Sequence, residues 1–288
     1  MDSVVLASPE HYTVSYAINP LTNKGSTVNK EKAMEQFGKL KARYESHGIP
    51  VHVMNVDPQE KYPDLVFVSN SVLILQGWPT KVAIVSRYAK KERQGEEELA
   101  SKFLLKLGYK LRYLPEREGL SYEGQGDSRW SHNGRHLWLC YGTGRTTKSG
   151  IDAVKAIILE EAVIANWIPP KIHTLHIVEK KTYHLDLCFL PLPNGRLLSH
   201  MTSFSLASRK HIESIFGKEQ IINVPLKYLY ICNSVWINEK TIFIPKLPEC
   251  RQWMYSASKM KVEEINVSEF HLAGGSVSCM SLALWSLV

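Results

Sequence analysis

No stretch of the 288-residue chain stays apolar long enough to cross a bilayer, and Met1 to His11 lacks a basic leader followed by a long apolar segment. These absences argue against a membrane partner or an exported protein and leave a cytoplasmic protein as the expectation. Cysteine is sparse and unpaired. The five residues Cys140, Cys188, Cys232, Cys250 and Cys279 are odd in number and show no CxxC spacing, so neither a disulfide framework nor a zinc site is expected. His173 and His176 have HxxH spacing, but in the alternating stretch from Ile172 to Val178 they fall on opposite strand faces, which speaks against a metal site. Long runs of one charge are also missing. The formal charge is +7, yet the densest basic run is Lys90-Lys91-Glu92-Arg93 and other bases alternate with acids, a solvated surface rather than a nucleic-acid footprint. No nucleic acid, membrane, metal or cofactor is implied.

What is present is a large apolar fraction, 44% of the residues, enough to bury the core of one sizeable domain or two. One pattern recurs along the chain: an apolar hairpin, a helix, then another strand. Val66 to Ile74 and Lys81 to Ser86 flank Gly77-Trp78-Pro79, and precede a helix over Glu96 to Leu107 and a strand over Tyr109 to Leu114. Trp130 to Gly142, bent at Asn133-Gly134, precedes a helix from Gly150 to Ala165 and a strand over Ile172 to Val178. His184 to Met201, bent at Asn194-Gly195, precedes a helix over Ser208 to Phe216 and a strand over Gln220 to Val224. Val235 to Ile244, bent at Asn238-Glu239, precedes a weaker helix near Ser256 to Lys261 and a strand around Glu264 to Val267. A fifth unit is split between the ends, with strand from Ser276 to Leu287, helix from Asn29 to His47 and strand from Ile49 to Val56, which would close a ring. Repetition at roughly fifty residues predicts a repeat or propeller architecture, read here as one domain, 1–288, without linkers. A doubly wound α/β sheet is the alternative, disfavoured because hairpins demand antiparallel pairing.

Three segments carry chemistry. Gly274-Gly275-Ser276-Val277-Ser278-Cys279 sets a cysteine behind two glycines, so backbone can approach a substrate closely and Cys279 is a candidate nucleophile; an inert core cysteine is the other reading. Tyr183-His184-Leu185-Asp186-Leu187 alternates like a strand, which would put His184 and Asp186 on one face, as a base with a carboxylate or as the polar side of a half-buried strand. Glu123-Gly124-Gln125-Gly126-Asp127 sets two acids around two glycines, in a cavity-facing bend or a surface turn.

In order along the chain, these segments, together with Tyr16-Ala17-Ile18-Asn19-Pro20, Pro63 to Asn70 and Gly142-Thr143-Gly144-Arg145-Thr146, resemble the guanidino-group-modifying superfamily of arginine deiminases, dimethylarginine dimethylaminohydrolases and amidinotransferases. The resemblance implies a five-bladed α/β propeller, the pentein fold, with its site on the axis. It implies a small guanidino substrate and is compatible with a homo-oligomer. A guanidinium carbon is a poor electrophile until carboxylates hold the cation and the leaving amine is protonated. By resemblance, Cys279 attacks that carbon to form a thiouronium, His184 protonates the departing amine and then activates water, and Glu123 orients the histidine. Asp186 matches the acid that pairs with the guanidinium, Arg145 and Arg93 match arginines that bind an α-carboxylate, Asp64 matches an acid near the α-amino group, and Asp127 supports the site from behind. One departure bears on the substrate. Many relatives carry an acid after the Val-Phe segment, where this chain has Ser69-Asn70, and Asn70 with Asn19 is similar to the arginine dihydrolase branch. Amidino transfer to an amine, dimethylarginine hydrolysis, and a guanidino-binding module without turnover are the competing readings.

Overall fold

The computed structural model describes residues 1–55, 62–248 and 250–285. In chain order it begins with β1 (Ser3–Ala7), α1 (Lys30–Ser46) and β2 (Val51–Met54), then β3 (Val72–Ile74), β4 (Val82–Val85), α2 (Glu96–Lys106) and β5 (Lys110–Tyr113). Next come β6 (Ser128–Ser131), β7 (His136–Tyr141), α3 (Lys148–Ile164) and β8 (Lys171–His176), followed by β9 (Phe189–Pro191), β10 (Leu197–Ser199), α4 (Leu206–Phe216) and β11 (Ile221–Asn223). The chain ends with β12 (Val235–Trp236), β13 (Thr241–Pro245), α5 (Cys250–Ser258), β14 (Lys261–Ile265), α6 (Ser268–His271) and β15 (Leu282–Leu284).

These strands make five three-stranded sheets with one connectivity, an antiparallel hairpin followed by a helix and a parallel third strand. The middle strands are apolar on both faces, as a strand covered from both sides must be: Val82–Val85 and Thr241–Pro245 are buried throughout. Each of five cores is shared by two neighbouring sheets. Leu73 and Val82 pack with Leu137 and Ile151, Trp138 and Leu175 with Phe189 and Phe204, and Leu190 and Leu198 with Ile242 and Ile244. Phe243 and Ile265 then pack with Val4 and Leu6, while Val5 and Ala7 pack with Val72 and Ala83, so the ring closes. This is the five-bladed α/β propeller. The joint is β1, antiparallel to β15 (Val5 opposite Leu282) and parallel to β2 (Val4 opposite Val51).

Several expectations need correction. The segment expected as strand from Val66 begins as two tight turns, Pro63–Val66 and Val68–Ser71, because pairing with β4 starts only at Val72. Tyr183 to Leu187 is likewise no strand: Leu185–Leu187 is one 3-10 turn, closed by the Leu187 N–H on the His184 carbonyl and the Cys188 N–H on the Leu185 carbonyl. The fourth unit's helix lies earlier than expected, at Cys250–Ser258, and its third strand at Lys261–Ile265, since α5 turns a Met254 face into the core. Strand β15 is only Leu282–Leu284; Ser276 to Ser281 is a turn, and Ser286 and Leu287 lie outside the described residues, as does Val56. Strand β1 was not anticipated. His173 and His176 do point to opposite faces, the first stacked on Trp138 and the second on Tyr141. Among the described residues no cluster of three metal-ligating side chains occurs, and no helix is long and apolar enough to cross a membrane.

Candidate active site

Each blade's first strand is entered through a tight turn, and these five turns meet at one end of the ring. Asn70, Asp127, Asp186, Asn233 and Cys279 stand one to three residues before β3, β6, β9, β12 and β15 respectively, and all five are buried. The turns are tied directly to one another. The Ser69 N–H donates to the Cys279 carbonyl at 3.2 Å, the Leu185 N–H to Asp127 Oδ1 at 3.2 Å, and Asn233 Nδ2 to the Asp186 carbonyl at 3.4 Å.

Glycine is obligatory at two places in this assembly. Gly124 sits at φ +53°, and a Cβ there would lie 2.6 Å from the carbonyl oxygens of Asn70 and Val72. Gly274 sits at φ +88°, where a Cβ would lie 2.5 Å from Asn19 Oδ1. The Gly-Gly approach thus admits Asn19, whose Nδ2 donates to the Ala273 carbonyl at 2.9 Å.

Cys279 is 3% exposed, and its Sγ donates to Asp186 Oδ2 at 3.2 Å. Burial, and then the adjacent Asp186 carboxylate, push the thiol well above its usual range. His184 Nε2 lies 2.8 Å from Glu123 Oε2, which also accepts from Arg145 at 2.9 Å. Burial alone would push Glu123 up, but the Arg145 guanidinium and the histidine hydrogen bond hold its carboxyl well below the usual carboxylate range. Asp127 accepts from the Cys140 thiol at 3.1 Å, from the Thr146 hydroxyl at 2.5 Å and from the Leu185 N–H, so it fixes the backbone beside His184 without reaching the cavity.

The cavity is small, about 10 Å³, and is lined by Asn19, Asp64, Asn70, Arg93, Arg145, His184 and Cys279, among others. Among the buried polar atoms without a protein partner are Asn70 Nδ2, on a lining residue, and Glu123 Oε1 and Asp186 Oδ1, on the side chains that hydrogen-bond His184 and Cys279. Two are carboxylate acceptors suited to the N–H groups of a planar cation, and one is an amide donor. The two arginines are already engaged. Arg145 reaches the Ile18 carbonyl at 3.1 Å as well as Glu123, and Arg93 binds Glu96 Oε2 at 2.6 Å and Asn70 Oδ1 at 3.1 Å. Burial raises the Asp64 carboxyl above its ordinary range.

All ten expected residues therefore lie in or directly behind one site. Glu96 and Asn233 were missed. Glu96 is 0% exposed at the start of α2 and lies in a run of three glutamates that reads as a solvated helix start. Asn233 had a usable signal, its place before β12 in the fourth repeat, where the other repeats carry Asn70, Asp127, Asp186 and Cys279.

Comparison with known proteins agrees with this geometry. The family described as N,N dimethylarginine dimethylhydrolase, eukaryotic, matches residues 13–285. The bifunctional arginine dihydrolase/ornithine cyclodeaminase ArgZ of Synechocystis is 31% identical over 282 residues, 97% of this chain. The chain spans only 37% of that relative's length. An uncharacterized protein of Caenorhabditis elegans is 31% identical, covering 98% of this chain and 93% of its own. Among solved structures, the N-terminal domain of ArgZ, a cysteine-to-serine mutant bound to substrate, superposes with a TM-score of 0.82 at 29% identity, covering 97% of both chains.

Proposed function

The chain belongs to the eukaryotic N,N dimethylarginine dimethylhydrolase family, and on that premise we propose that it is a cysteine-dependent hydrolase acting at the guanidinium carbon of arginine, with arginine dihydrolase chemistry. The cation docks against the open acceptors of Asp186 and Glu123. Its charge offsets the Asp186 carboxylate that keeps the thiol protonated, so substrate binding itself favours the thiolate. Cys279 gives up its proton to His184 as Sγ bonds to the guanidinium carbon, His184 delivers that proton to the departing nitrogen, and ammonia leaves a thiouronium on sulfur. His184 then takes a proton from water, the hydroxide adds to the same carbon, and breaking the S–C bond returns the thiol and releases citrulline. Hydrolysis of that ureido group completes the balance: arginine and two waters give ornithine, carbon dioxide and two ammonia.

The observation that carries the dihydrolase reading is the orientation of the Asn70 amide. Arg93 can only donate, so its contact at 3.1 Å fixes Asn70 Oδ1 on the arginine side and leaves Nδ2, which has no protein partner, on the side of Gly126 and His184. A donor there suits a ureido oxygen; a carboxylate would suit only a cation. The ArgZ relationship supports the same branch. The family description favours a second reading, hydrolysis of dimethylated arginine to citrulline and an amine. Mass spectrometry of products from L-arginine and from dimethylarginine, with and without an amine acceptor, separates these readings from amidino transfer. Ornithine with two equivalents of ammonia from arginine is expected; turnover of dimethylarginine alone, or of arginine only when an amine is added, overturns the assignment.

A further inference from the structure

We propose that Asn233 is an additional catalytic residue, whose side-chain amide donates to the Cys279 sulfur and stabilises it as thiolate while anchoring the nucleophile turn. The inference rests on the nucleophile reading of Cys279 given above. Asn233 is 0% exposed and closes the turn before β12. Its Oδ1 accepts the backbone N–H groups of Ser278 at 3.0 Å and Cys279 at 3.2 Å. Both partners are obligatory donors, so the amide has only one satisfactory orientation, with the NH₂ group toward Cys279 Sγ at 3.1 Å and the Asp186 carbonyl at 3.4 Å. The sulfur is therefore flanked by two side chains of opposite effect. Asp186 Oδ2, at 3.2 Å, accepts from the thiol and favours the neutral form. Asn233 donates and favours the charged form. Once a guanidinium occupies Asp186, Asn233 remains the fixed donor on the sulfur, and a hydrogen bond to an ionised partner is among the stronger ones.

A residue that merely held the turn would leave the thiol's ionisation unchanged, which gives the test. Asn233→Asp keeps an oxygen for the two backbone N–H groups but replaces the donor with an acceptor; Asn233→Ala removes both contacts. Alkylation of Cys279 by iodoacetamide is followed by mass spectrometry across pH, with thermal melts of each variant recorded in parallel. The expected result is an alkylation midpoint at least about one pH unit higher in each folded variant, about a tenfold slower reaction at neutral pH, with the Asp variant shifted further. An unchanged midpoint in the folded Asp variant overturns the proposal, even if its melting temperature falls. Alkylation reads the thiol without arginine turnover. Failure of the hydrolase reading would appear separately, as absent products in the wild-type protein with its midpoint difference from the variants intact.

Discussion

At the scale of single residues, Cys279 is set by the carboxylate beside it. Asp186 Oδ2 accepts from the thiol while Oδ1 has no protein partner, so on the proposed reading the same side chain would restrain the nucleophile until substrate arrives. Replacing it separates the two effects. In Asp186→Asn the thiol loses an adjacent negative charge and ionises more easily, so iodoacetamide should label Cys279 at pH 7 roughly tenfold faster or more. The same variant should lose at least about a hundredfold in kcat/KM for arginine, because the clamp on the cation is gone. Slower labelling would reverse the sign and exclude Asp186 as the group that restrains the thiol. Cys279→Ser should abolish turnover with folding intact, since a hydroxyl is scarcely ionised at neutral pH. At Asn70 the difference is between a neutral amide and a carboxylate. Asn70→Asp should hold the guanidinium more firmly but disfavour a neutral ureido group, because desolvating an acid against a neutral partner is costly. Citrulline should then accumulate; a variant that still carries arginine through to ornithine at the wild-type rate would remove Asn70 from the choice of product.

Elements, rather than residues, decide how far the site could be read from the chain. The hairpin-helix-strand period located β4, β7, α2 and α3 within a few residues, because their apolar runs are long and their turns carry Asn-Gly or Gly-Trp-Pro signals. The tight turns entering each blade were less legible. His184 and Asp186 alternate in sequence as a strand would, yet both reach the site through a 3-10 turn, since the hydrogen-bonded ladder of β9 begins only at Phe189. Strand β1 escaped notice because its partners, β15 and β2, lie far from it along the chain. The glycine at the head of the second turn shows how tightly that geometry is held. In Gly124→Ala the methyl group would meet the carbonyl oxygens of Asn70 and Val72 at φ +53°, combining left-handed strain with overpacking. A loss of about 2–5 kcal/mol is expected from urea denaturation, with a changed ornithine-to-citrulline ratio because Asn70 must move. An unshifted urea midpoint would show that the turn can relax without cost.

Across the whole molecule, the five cores belong to pairs of blades, so no blade owns a core of its own. A chain built this way should unfold as one unit: Trp fluorescence, which includes the fully buried Trp78 and Trp138 in different blades, and far-UV CD should give coincident urea transitions. Two separated transitions would break the reading of residues 1–288 as one domain. The joint made by β1 can be tested alone. Strand β1 places Val4 and Leu6 in the core shared with Phe243, and Val5 and Ala7 in the core shared with Val72, while its two edges pair with β15 and β2. Removing residues 1–7 would take side chains from two cores at once and leave β15, three residues downstream of Cys279, without its ladder. Because a buried Val or Leu side chain contributes about 1.5–3 kcal/mol, losing Val4, Val5 and Leu6 approaches the entire stability of an ordinary domain. The truncated protein should therefore show no cooperative transition and no labelling contrast between Cys279 and the other four cysteines. A truncated protein that unfolds cooperatively at the wild-type midpoint would mean that the ring stays closed without β1.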